Sequence, residues 1–152
     1  AAARPSAVDG LTVGLLDISK PRGDLFMQRL GLALSAEGIQ VKHYQKPTFT
    51  KPAPIALRQE IAEDCDLMVE GLLIEALHNV LTHDVADLEA RGIPAVGIAT
   101  TEFIDAAAAQ GEALGFDPAM IFVPHPIQDR TDAELDQLAQ DWRDRIVQKL
   151  LA

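Results

Sequence analysis

Short apolar runs and longer amphipathic runs alternate along this chain, and the alternation limits the possible folds more than any other feature of the sequence. Five apolar runs have the length and composition of buried strands: Leu11–Leu16, Ile39–Tyr44, Asp66–Val69, Ile93–Ala99 and Met120–Val123. Apolar residues recur at helical spacing in four intervening runs: Asp24–Glu37, Ala53–Asp64, Leu73–Ala90 and Phe103–Leu114. A fifth amphipathic run follows the last strand. Five consecutive β-α units predict a parallel sheet with right-handed crossovers and helices on both faces.

The fifth helix is predicted to begin at Thr131, where Thr-Asp-Ala-Glu matches a capping box, and to run to Leu150. Its apolar seam predicts packing on the sheet or on a second subunit, which leaves a homodimer open: Leu135, Leu138, Trp142, Ile146 and Leu150. The expected fold class is α/β, a flavodoxin-like three-layer α/β/α sandwich whose five-stranded parallel sheet has the order 2-1-3-4-5. Residues 1–9 are predicted to form a flexible N-terminal tail, and residues 10–152 a single α/β domain.

The charge balance excludes two classes of partner. Lys and Arg number 13 and Asp and Glu 23, so the formal net charge is −10, which argues against nucleic acid and against anionic membrane surfaces. A small anionic ligand needs only local positive potential and is compatible with this balance. No apolar run reaches the about 20 residues of a membrane span. The single cysteine, Cys65, cannot form an internal disulfide or a Cys-x-x-Cys site, and we expect a cytoplasmic protein.

Unusual residues are concentrated in the loops that follow the predicted strands. In a parallel sheet these loops meet at one edge, which is where open α/β sheets bind their ligands. Histidine, lysine, threonine and proline are frequent in them, whereas the turns at the opposite edge are ordinary helix stops. A functional site is therefore predicted among the five exits: Asp17–Arg22, Lys46–Thr50, Glu70–His78, Thr100–Phe103 and Pro124–Pro126.

Several short motifs follow one another along the chain: Gly14-Leu15-Leu16-Asp17, Lys20-Pro21, Lys46-Pro47-Thr48-Phe49, Pro52-Ala53-Pro54, Glu70-Gly71-Leu72, His83-Asp84, Leu88-Glu89-Ala90-Arg91-Gly92-Ile93-Pro94, Thr101-Glu102-Phe103 and Val123-Pro124-His125-Pro126. In this order they resemble the UGSC-type family of selenoproteins, which is itself similar to the selenocysteine subunit of glycine and sarcosine reductases. The resemblance implies thiol- or selenol-based reductase chemistry. In that family, a selenocysteine or cysteine followed by Gly-Ser-Cys comes just after the Glu-Gly-Leu motif.

This chain departs from the family at that motif. Ile74-Glu75-Ala76-Leu77-His78 occupies the position, so the segment contains neither thiol nor selenol. Reductase chemistry of this kind needs such an atom as the nucleophile. Cys65 precedes the third strand and is predicted to lie at the opposite edge of the sheet, so it is not a substitute. The reductase activity that the resemblance implies is therefore not expected here.

Three residues are the candidates for catalysis. Glu75 and His78 are three residues apart on a predicted helix, where they share a face and could relay a proton. An ordinary helix-surface pair explains them equally well. His125 lies between two prolines that fix its backbone at the exit of strand five. His125 could join the pair around a metal ion, but no strict ligand spacing is present and no metal is expected. His83 is compatible with a purely structural role.

Other exit residues are candidates for binding an anionic substrate. Lys20 and Lys46 would supply positive charge, although surface lysines are often merely solvated. Thr100 and Thr101 offer hydroxyls and backbone amides to a carboxylate or phosphate, although Thr101 could serve only as a helix N-cap. Asp17 could orient Lys20 or a substrate hydroxyl, or could cap the turn that follows it. Two further exit residues complete the predicted binding set: Thr48 and Glu70.

Two functions follow from these residues. The first is an enzyme with non-redox acid–base chemistry, of lyase or hydratase type, acting without a cofactor on a small anionic substrate. The alternative is a non-catalytic ligand-binding subunit or an accessory subunit of a larger complex. The segment Asp17-Ile18-Ser19-Lys20-Pro21 is not the glycine-rich loop that a flavin or dinucleotide phosphate requires. No Gly-x-Ser-x-Gly elbow of a serine hydrolase occurs.

Overall fold

The computed structural model describes residues 2–48, 50–74, 81–115 and 118–152. Strands and helices alternate in these residues as the sequence predicts. The strands are β1 (Thr12–Asp17), β2 (Gln40–Gln45), β3 (Leu67–Leu73), β4 (Ala95–Thr100) and β5 (Met120–Val123). The helices are α1 (Gly23–Ala36), α2 (Ile55–Asp64), α3 (Leu81–Ala90), α4 (Ile104–Leu114) and α5 (Asp132–Leu150), and a short 3₁₀ helix, Thr101–Phe103, precedes α4.

The five strands form one parallel sheet in the order β2-β1-β3-β4-β5. This confirms the predicted order, with β1 between β2 and β3, and β2 at an edge. The polar and partly exposed pattern of β2 agrees with its edge position. By contrast, β3 and β4 are buried along their whole length. All five carboxyl ends therefore lie at one edge of the sheet, where the sequence predicts the functional site.

Two apolar layers hold the helices against the sheet. One face of the sheet packs on α1 and α5, through side chains such as Phe26, Leu30 and Leu135. The other face packs on α2 and α3, through Ile61, Val85 and others. Each fully buried side chain of this size stabilises the fold by about 1.5–3 kcal/mol relative to exposure. The helical layers thus fix the strand ends rigidly relative to one another.

Helix α5 has the predicted capping box. Thr131 accepts a hydrogen bond from the Glu134 amide, and the Glu134 carboxylate accepts one from the Thr131 amide. The predicted apolar seam faces α1 and the sheet, and four of its five members are buried: Leu135, Leu138, Ile146 and Leu150. The seam thus packs on the sheet layer of the same chain, one of the two predicted partners, and the homodimer stays a prediction.

Strand β3 is longer than predicted. The expected strand ends at Val69 and the expected helix begins at Leu73, but β3 continues through Leu73, so that helix start is wrong. The run Gly71-Leu72-Leu73 is buried on both sides and stays in the sheet, with a register shift against β4 between Glu70 and Leu73. Glu70 therefore lies inside a strand and not in an exit loop. The segment 75–80, with the predicted catalytic residues Glu75 and His78, lies outside the described residues.

Both chain ends contact the body of the structure. The Ala2 amide and the Arg4 guanidinium donate hydrogen bonds to the nearly buried Glu89 carboxylate on α3. The Ala152 amide donates to the Pro5 carbonyl over 2.8 Å. The flexibility of residues 1–9 stays a prediction, which these contacts make testable. Within the described part of the chain, no helix combines the length and hydropathy needed to cross a bilayer.

Candidate functional site at the carboxyl edge of the sheet

A cavity of about 410 Å³ lies beyond the carboxyl ends of β3, β4 and β5. Its wall combines apolar side chains with an imidazole, two carboxylates and an amide: Ile74, Glu102, His125, Pro126, Ile127, Gln128 and Asp129. Pockets for small molecules in proteins have this composition and a volume of about 300–1,000 Å³. Of the three predicted catalytic residues, His125 lies in this wall.

The backbone of His125 is held from two sides. Its amide donates to the Thr101 hydroxyl over 3.4 Å. The Arg130 guanidinium donates to the Pro126 carbonyl over 2.7 Å and to the Pro124 carbonyl over 3.4 Å. Because both flanking residues are prolines with a fixed φ, these bonds fix the turn that presents the imidazole.

Arg130 is in turn connected to the start of α1. The Arg22 guanidinium donates to the Arg130 carbonyl over 2.7 Å and to the Asp132 carboxylate over 2.8 Å. Arg22 has a left-handed backbone conformation directly before α1. The His125 turn is thus attached to both α1 and α5, in addition to its own strand.

Glu102 is a carboxylate of the cavity that is not among the residues predicted from the sequence. It lies in the 3₁₀ helix directly after β4, and its position in the Thr-Glu-Phe motif was an available signal. Asp129 and Gln128 lie on the loop between β5 and α5, where no local pattern marks them. Their place in the wall depends on how that loop folds back over the strand ends.

Of the three predicted threonines, Thr100 and Thr101 support this edge of the sheet. Thr100 is fully buried, and its hydroxyl donates to the Ile74 carbonyl over 3.3 Å. Thr100, and not Thr101, occupies the N-cap position of the 3₁₀ helix, without a side-chain cap bond. The hydroxyl of Thr101 contacts the His125 amide instead. Their proposed contacts with a substrate stay a prediction.

A second polar group is buried between β3 and α3. The Lys46 ammonium lies 2.7 Å from the Asp84 carboxylate and 3.6 Å from the Glu70 carboxylate. Asp84 also accepts a hydrogen bond of 2.8 Å from the Ala53 amide. The exposed fraction is 1% for the Lys46 side chain and 0% for both acids. We call these three residues the buried ionic cluster.

The two acids of this cluster differ in their partners. Asp84 accepts from both the Lys46 ammonium and the Ala53 amide. Among the described residues, neither carboxyl oxygen of Glu70 has a donor in hydrogen-bond geometry. Burial raises the pKa of Glu70 well above its usual value, and the negative charge of Asp84 raises it further, while Lys46 acts in the opposite direction.

Other predicted binding residues lie elsewhere on the edge. Asp17 accepts a hydrogen bond from the Ser19 amide over 2.9 Å and lines a separate cleft of about 480 Å³ between α1 and the edge strand β2. Burial raises the pKa of Asp17, the Ser19 bond lowers it and nearby Asp24 raises it. Lys20 is 9% exposed. Thr48 lies on an exposed loop, 3.0 Å from the Thr50 hydroxyl.

Four of the described candidates therefore lie in three separate places: His125 in the cavity wall, Lys46 and Glu70 in the buried ionic cluster, and Asp17 in the cleft. Among the residues that the structure describes, no group of three His, Cys, Asp or Glu is arranged to hold a metal ion. Whether Glu75 and His78 share the cavity with His125 stays a prediction.

Cys65 lies at the opposite edge of the sheet, two residues before β3 begins. Its side chain is 5% exposed and lies 3.5 Å from the Tyr44 hydroxyl. Burial raises the pKa of the Cys65 thiol, and the hydrogen bond with Tyr44 and the charge of Lys42 act against that rise. A protonated, buried thiol is a poor nucleophile. The prediction that Cys65 lies away from the strand exits is confirmed.

The sheet order and the helices on both faces define the class of the protein as a flavodoxin-like α/β fold. Solved structures agree with this class. The chain is similar to the flavoenzyme NAD(P)H:(acceptor) oxidoreductase FerB from Paracoccus denitrificans, with 16% identity, a TM-score of 0.53 and coverage of 92% of this chain and 97% of that one. It is also similar to a diflavin flavoprotein A3 from Nostoc sp., with 13% identity, a TM-score of 0.51 and coverage of 91% and 95%. At such identities the likeness shows the fold alone.

Within this class, the chain belongs to the UGSC family, whose model matches residues 1–152. The family that the sequence motifs resemble is thus confirmed over the whole chain. A search of curated proteins gives no match.

Proposed function

We propose that this UGSC-family protein is an enzyme that performs acid–base chemistry, of lyase or hydratase type, on a small anionic substrate bound in the cavity beside His125. The observation that carries the proposal is that His125, in a turn whose backbone is held by Thr101 and Arg130, lines a 410 Å³ cavity together with Glu102. Imidazole is the side chain best suited to exchange protons near neutral pH, and a positioned acid or base contributes about 10²–10⁴ to a rate.

His125 and Glu102 have complementary parts in this chemistry. One group removes a proton from carbon, and the other protonates the leaving hydroxyl or another departing group. Addition of water across a double bond is the reverse of the same two transfers. Neither transfer needs a group beyond the two side chains. Glu75 and His78 are the further proton-transfer candidates that the sequence predicts for this site.

The charges of the wall restrict the substrate. Arg130 places a positive charge against the turn that carries His125 and favours a negatively charged group there. Glu102 and Asp129 oppose any second negative charge in the same cavity. The proposed substrate is accordingly a monoanion, such as a small hydroxycarboxylate, and not a dicarboxylate or a phosphate ester.

The residues after β1 do not fit the phosphate of a flavin, the cofactor that the names of the similar flavoproteins suggest. In this fold the phosphate would bind the backbone amides of the loop between β1 and α1. Here the Ile18 amide donates to the Gly71 carbonyl and the Ser19 amide donates to the Asp17 carboxylate. Pro21 has no amide proton, and Asp17 and Asp24 add negative charge. No flavin step is therefore part of the proposal.

Thiol chemistry is likewise not part of the proposal. The segment from Ile74 to His78 contains no cysteine, and Cys65 is buried at the opposite edge of the sheet with a raised pKa.

Hydrogen–deuterium exchange at carbon tests the proposal without knowledge of the product. Each member of a panel of small 2-hydroxy and 3-hydroxy monocarboxylates is incubated with the protein in D₂O, and loss of a proton from the carbon adjacent to the hydroxyl-bearing carbon is followed by NMR. We expect exchange with at least one member, and a loss of about a hundredfold or more in the His125→Ala variant. His43→Ala is the matched control because His43 lines the separate cleft at β2.

Two results would contradict acid–base catalysis at this cavity. One is an exchange rate that His125→Ala leaves unchanged. The other is binding of a panel member, seen as shifts of cavity resonances, without any exchange. The second result would support the alternative function, a ligand-binding or accessory subunit.

A further inference from the structure

The buried ionic cluster contains one positive side chain and two acids, and it is closed off from solvent. Lys46 comes from the end of β2, Glu70 from the middle of β3 and Asp84 from α3. Glu70 is opposite Leu16 of β1 and Gly97 of β4 in the sheet, so neither neighbouring strand offers it a charged side chain. The cluster lies in the layer between the sheet and α3, surrounded by apolar residues.

If both acids were ionised, the cluster would carry a net charge of −1 in this apolar layer. An uncompensated charge in such a place is strongly unfavourable. The Lys46 ammonium balances one carboxylate only. Asp84 is the acid that it balances, because Asp84 lies 2.7 Å from the ammonium and also accepts from the Ala53 amide. Glu70 is left at 3.6 Å from the ammonium, beyond hydrogen-bond distance, and no donor within the described part of the chain reaches its carboxyl oxygens.

A proton on Glu70 removes both the net charge of the cluster and the lack of a hydrogen-bond partner for Glu70. The protonated acid is neutral, so the cluster has no net charge. It also becomes a hydrogen-bond donor, and the neighbouring Asp84 side chain, whose hydrogen bond with Glu70 contributes to the raised pKa of Glu70, is the acceptor.

We propose that Glu70 binds a proton at neutral pH and donates it to Asp84, and that this buried proton links the docking of α3 on the sheet to pH. Loss of the proton leaves two carboxylates sharing one ammonium between β3 and α3, which weakens the contact between the two elements. The direction of the Glu70 pKa, raised by burial first and by Asp84 second, agrees with this geometry.

The sign of the pH dependence follows from linkage. In the unfolded chain Glu70 loses its proton around the ordinary glutamate pKa of about 4.3, whereas in the folded protein it keeps the proton to higher pH. Between these two values the folded state binds one more proton than the unfolded state. Stability therefore falls as pH rises through that window, with the unfolding equilibrium constant growing about tenfold per pH unit. Above the pKa of Glu70 in the folded protein, the contribution of Glu70 to the free energy of unfolding no longer changes with pH.

The test compares wild type with Glu70→Gln, which imitates the protonated acid in shape and can donate to Asp84. The unfolding equilibrium constants of both are measured by urea denaturation from about pH 5 to about pH 9. We expect the ratio of wild-type to variant constants to grow by up to about tenfold per pH unit below the folded pKa. Glu63→Gln, which changes an exposed acid on α2, is the matched control and should follow wild type at every pH.

Two further measurements make the outcome decisive. The infrared spectrum of wild type at neutral pH should contain the carbonyl band of a protonated carboxylic acid, which disappears on titration to alkaline pH. Amide hydrogen exchange in Leu81–Ala90 should accelerate in wild type relative to Glu70→Gln over the same range. Absence of the acid band at neutral pH overturns the proposal, and so does a ratio of unfolding constants that does not change with pH. If Glu70→Gln does not fold, the wild-type infrared titration decides alone.

Discussion

Replacing Asp84 by alanine tests the buried ionic cluster most directly. The Lys46 ammonium would lose its acceptor at 2.7 Å, and the Ala53 amide would lose its acceptor at 2.8 Å. Removing one partner of a buried ion pair costs about 3–5 kcal/mol, since the other charge remains buried. Glu70 lies 3.6 Å from the ammonium and can ionise to balance it, so we expect a loss near the lower limit, about 3 kcal/mol of the free energy of unfolding.

The double variant Lys46→Met/Asp84→Ala measures the coupling energy between the two side chains. Once the ammonium is gone, removal of Asp84 no longer leaves a buried positive charge. The double variant should therefore be more stable than the sum of the two single losses implies, by at least about 2 kcal/mol. A coupling energy of this size is expected only for side chains in direct contact.

Urea denaturation followed by circular dichroism measures all three variants, and unchanged m-values show that the unfolding transition itself is unaltered. Arg91→Ala is the control, because its 2.7 Å ion pair with Asp87 is partly exposed. Pairs of that kind contribute about 0–1 kcal/mol. A loss below about 1 kcal/mol for Asp84→Ala, or single losses that simply add, would refute the assignment of Lys46 and Asp84 as a buried pair.

Two further predictions concern other parts of the molecule. Cys65→Ala should leave the carbon exchange rate of the panel assay unchanged, because the thiol is buried at the edge opposite the cavity; a loss of exchange with normal folding would show that a redox role was wrongly excluded. Arg4→Ala should accelerate amide exchange at Ala2 and lower the free energy of unfolding by about 1 kcal/mol, because both residues donate to Glu89. An Ala2 amide that already exchanges at the solvent rate in wild type would instead confirm the flexible tail.

The sheet could be predicted because its information is local. Each strand is a short apolar run between turn residues, and the handedness of the crossovers leaves few possible orders. The capping box of α5 was equally readable, since both of its hydrogen bonds lie within four residues, Thr131–Glu134. Strand β3 was predicted too short because an acid in the middle of a run normally marks a strand end.

Glu70 breaks that rule for a reason that no local pattern contains. Its place in a fully buried strand is tolerable because Lys46 and Asp84, 24 and 14 residues away in the sequence, meet it between the sheet and α3. The same limit applies to the cavity. His125 was identified from its two neighbouring prolines, whereas Asp129 and Gln128 join it only through the course of the loop after β5.

The sequence motifs that carry the family resemblance thus lie in two different places in this chain. Lys46, Glu70 and Asp84 each belong to one of those motifs, and they meet as the buried ionic cluster. Glu102 and His125 belong to others, and they face the cavity.

The fact that a residue belongs to a family motif therefore does not show whether it acts in chemistry or in a buried ion pair. The position of its side chain in the structure distinguishes the two roles. A substrate could bind the Lys46 ammonium only by separating it from Asp84, so any anion bound there would compete with about 3 kcal/mol of fold stabilisation. No such competition exists at His125, whose imidazole already lies in the wall of an open cavity. For this reason substitutions at Lys46 should act first on the free energy of unfolding, and substitutions at His125 first on the proposed exchange reaction.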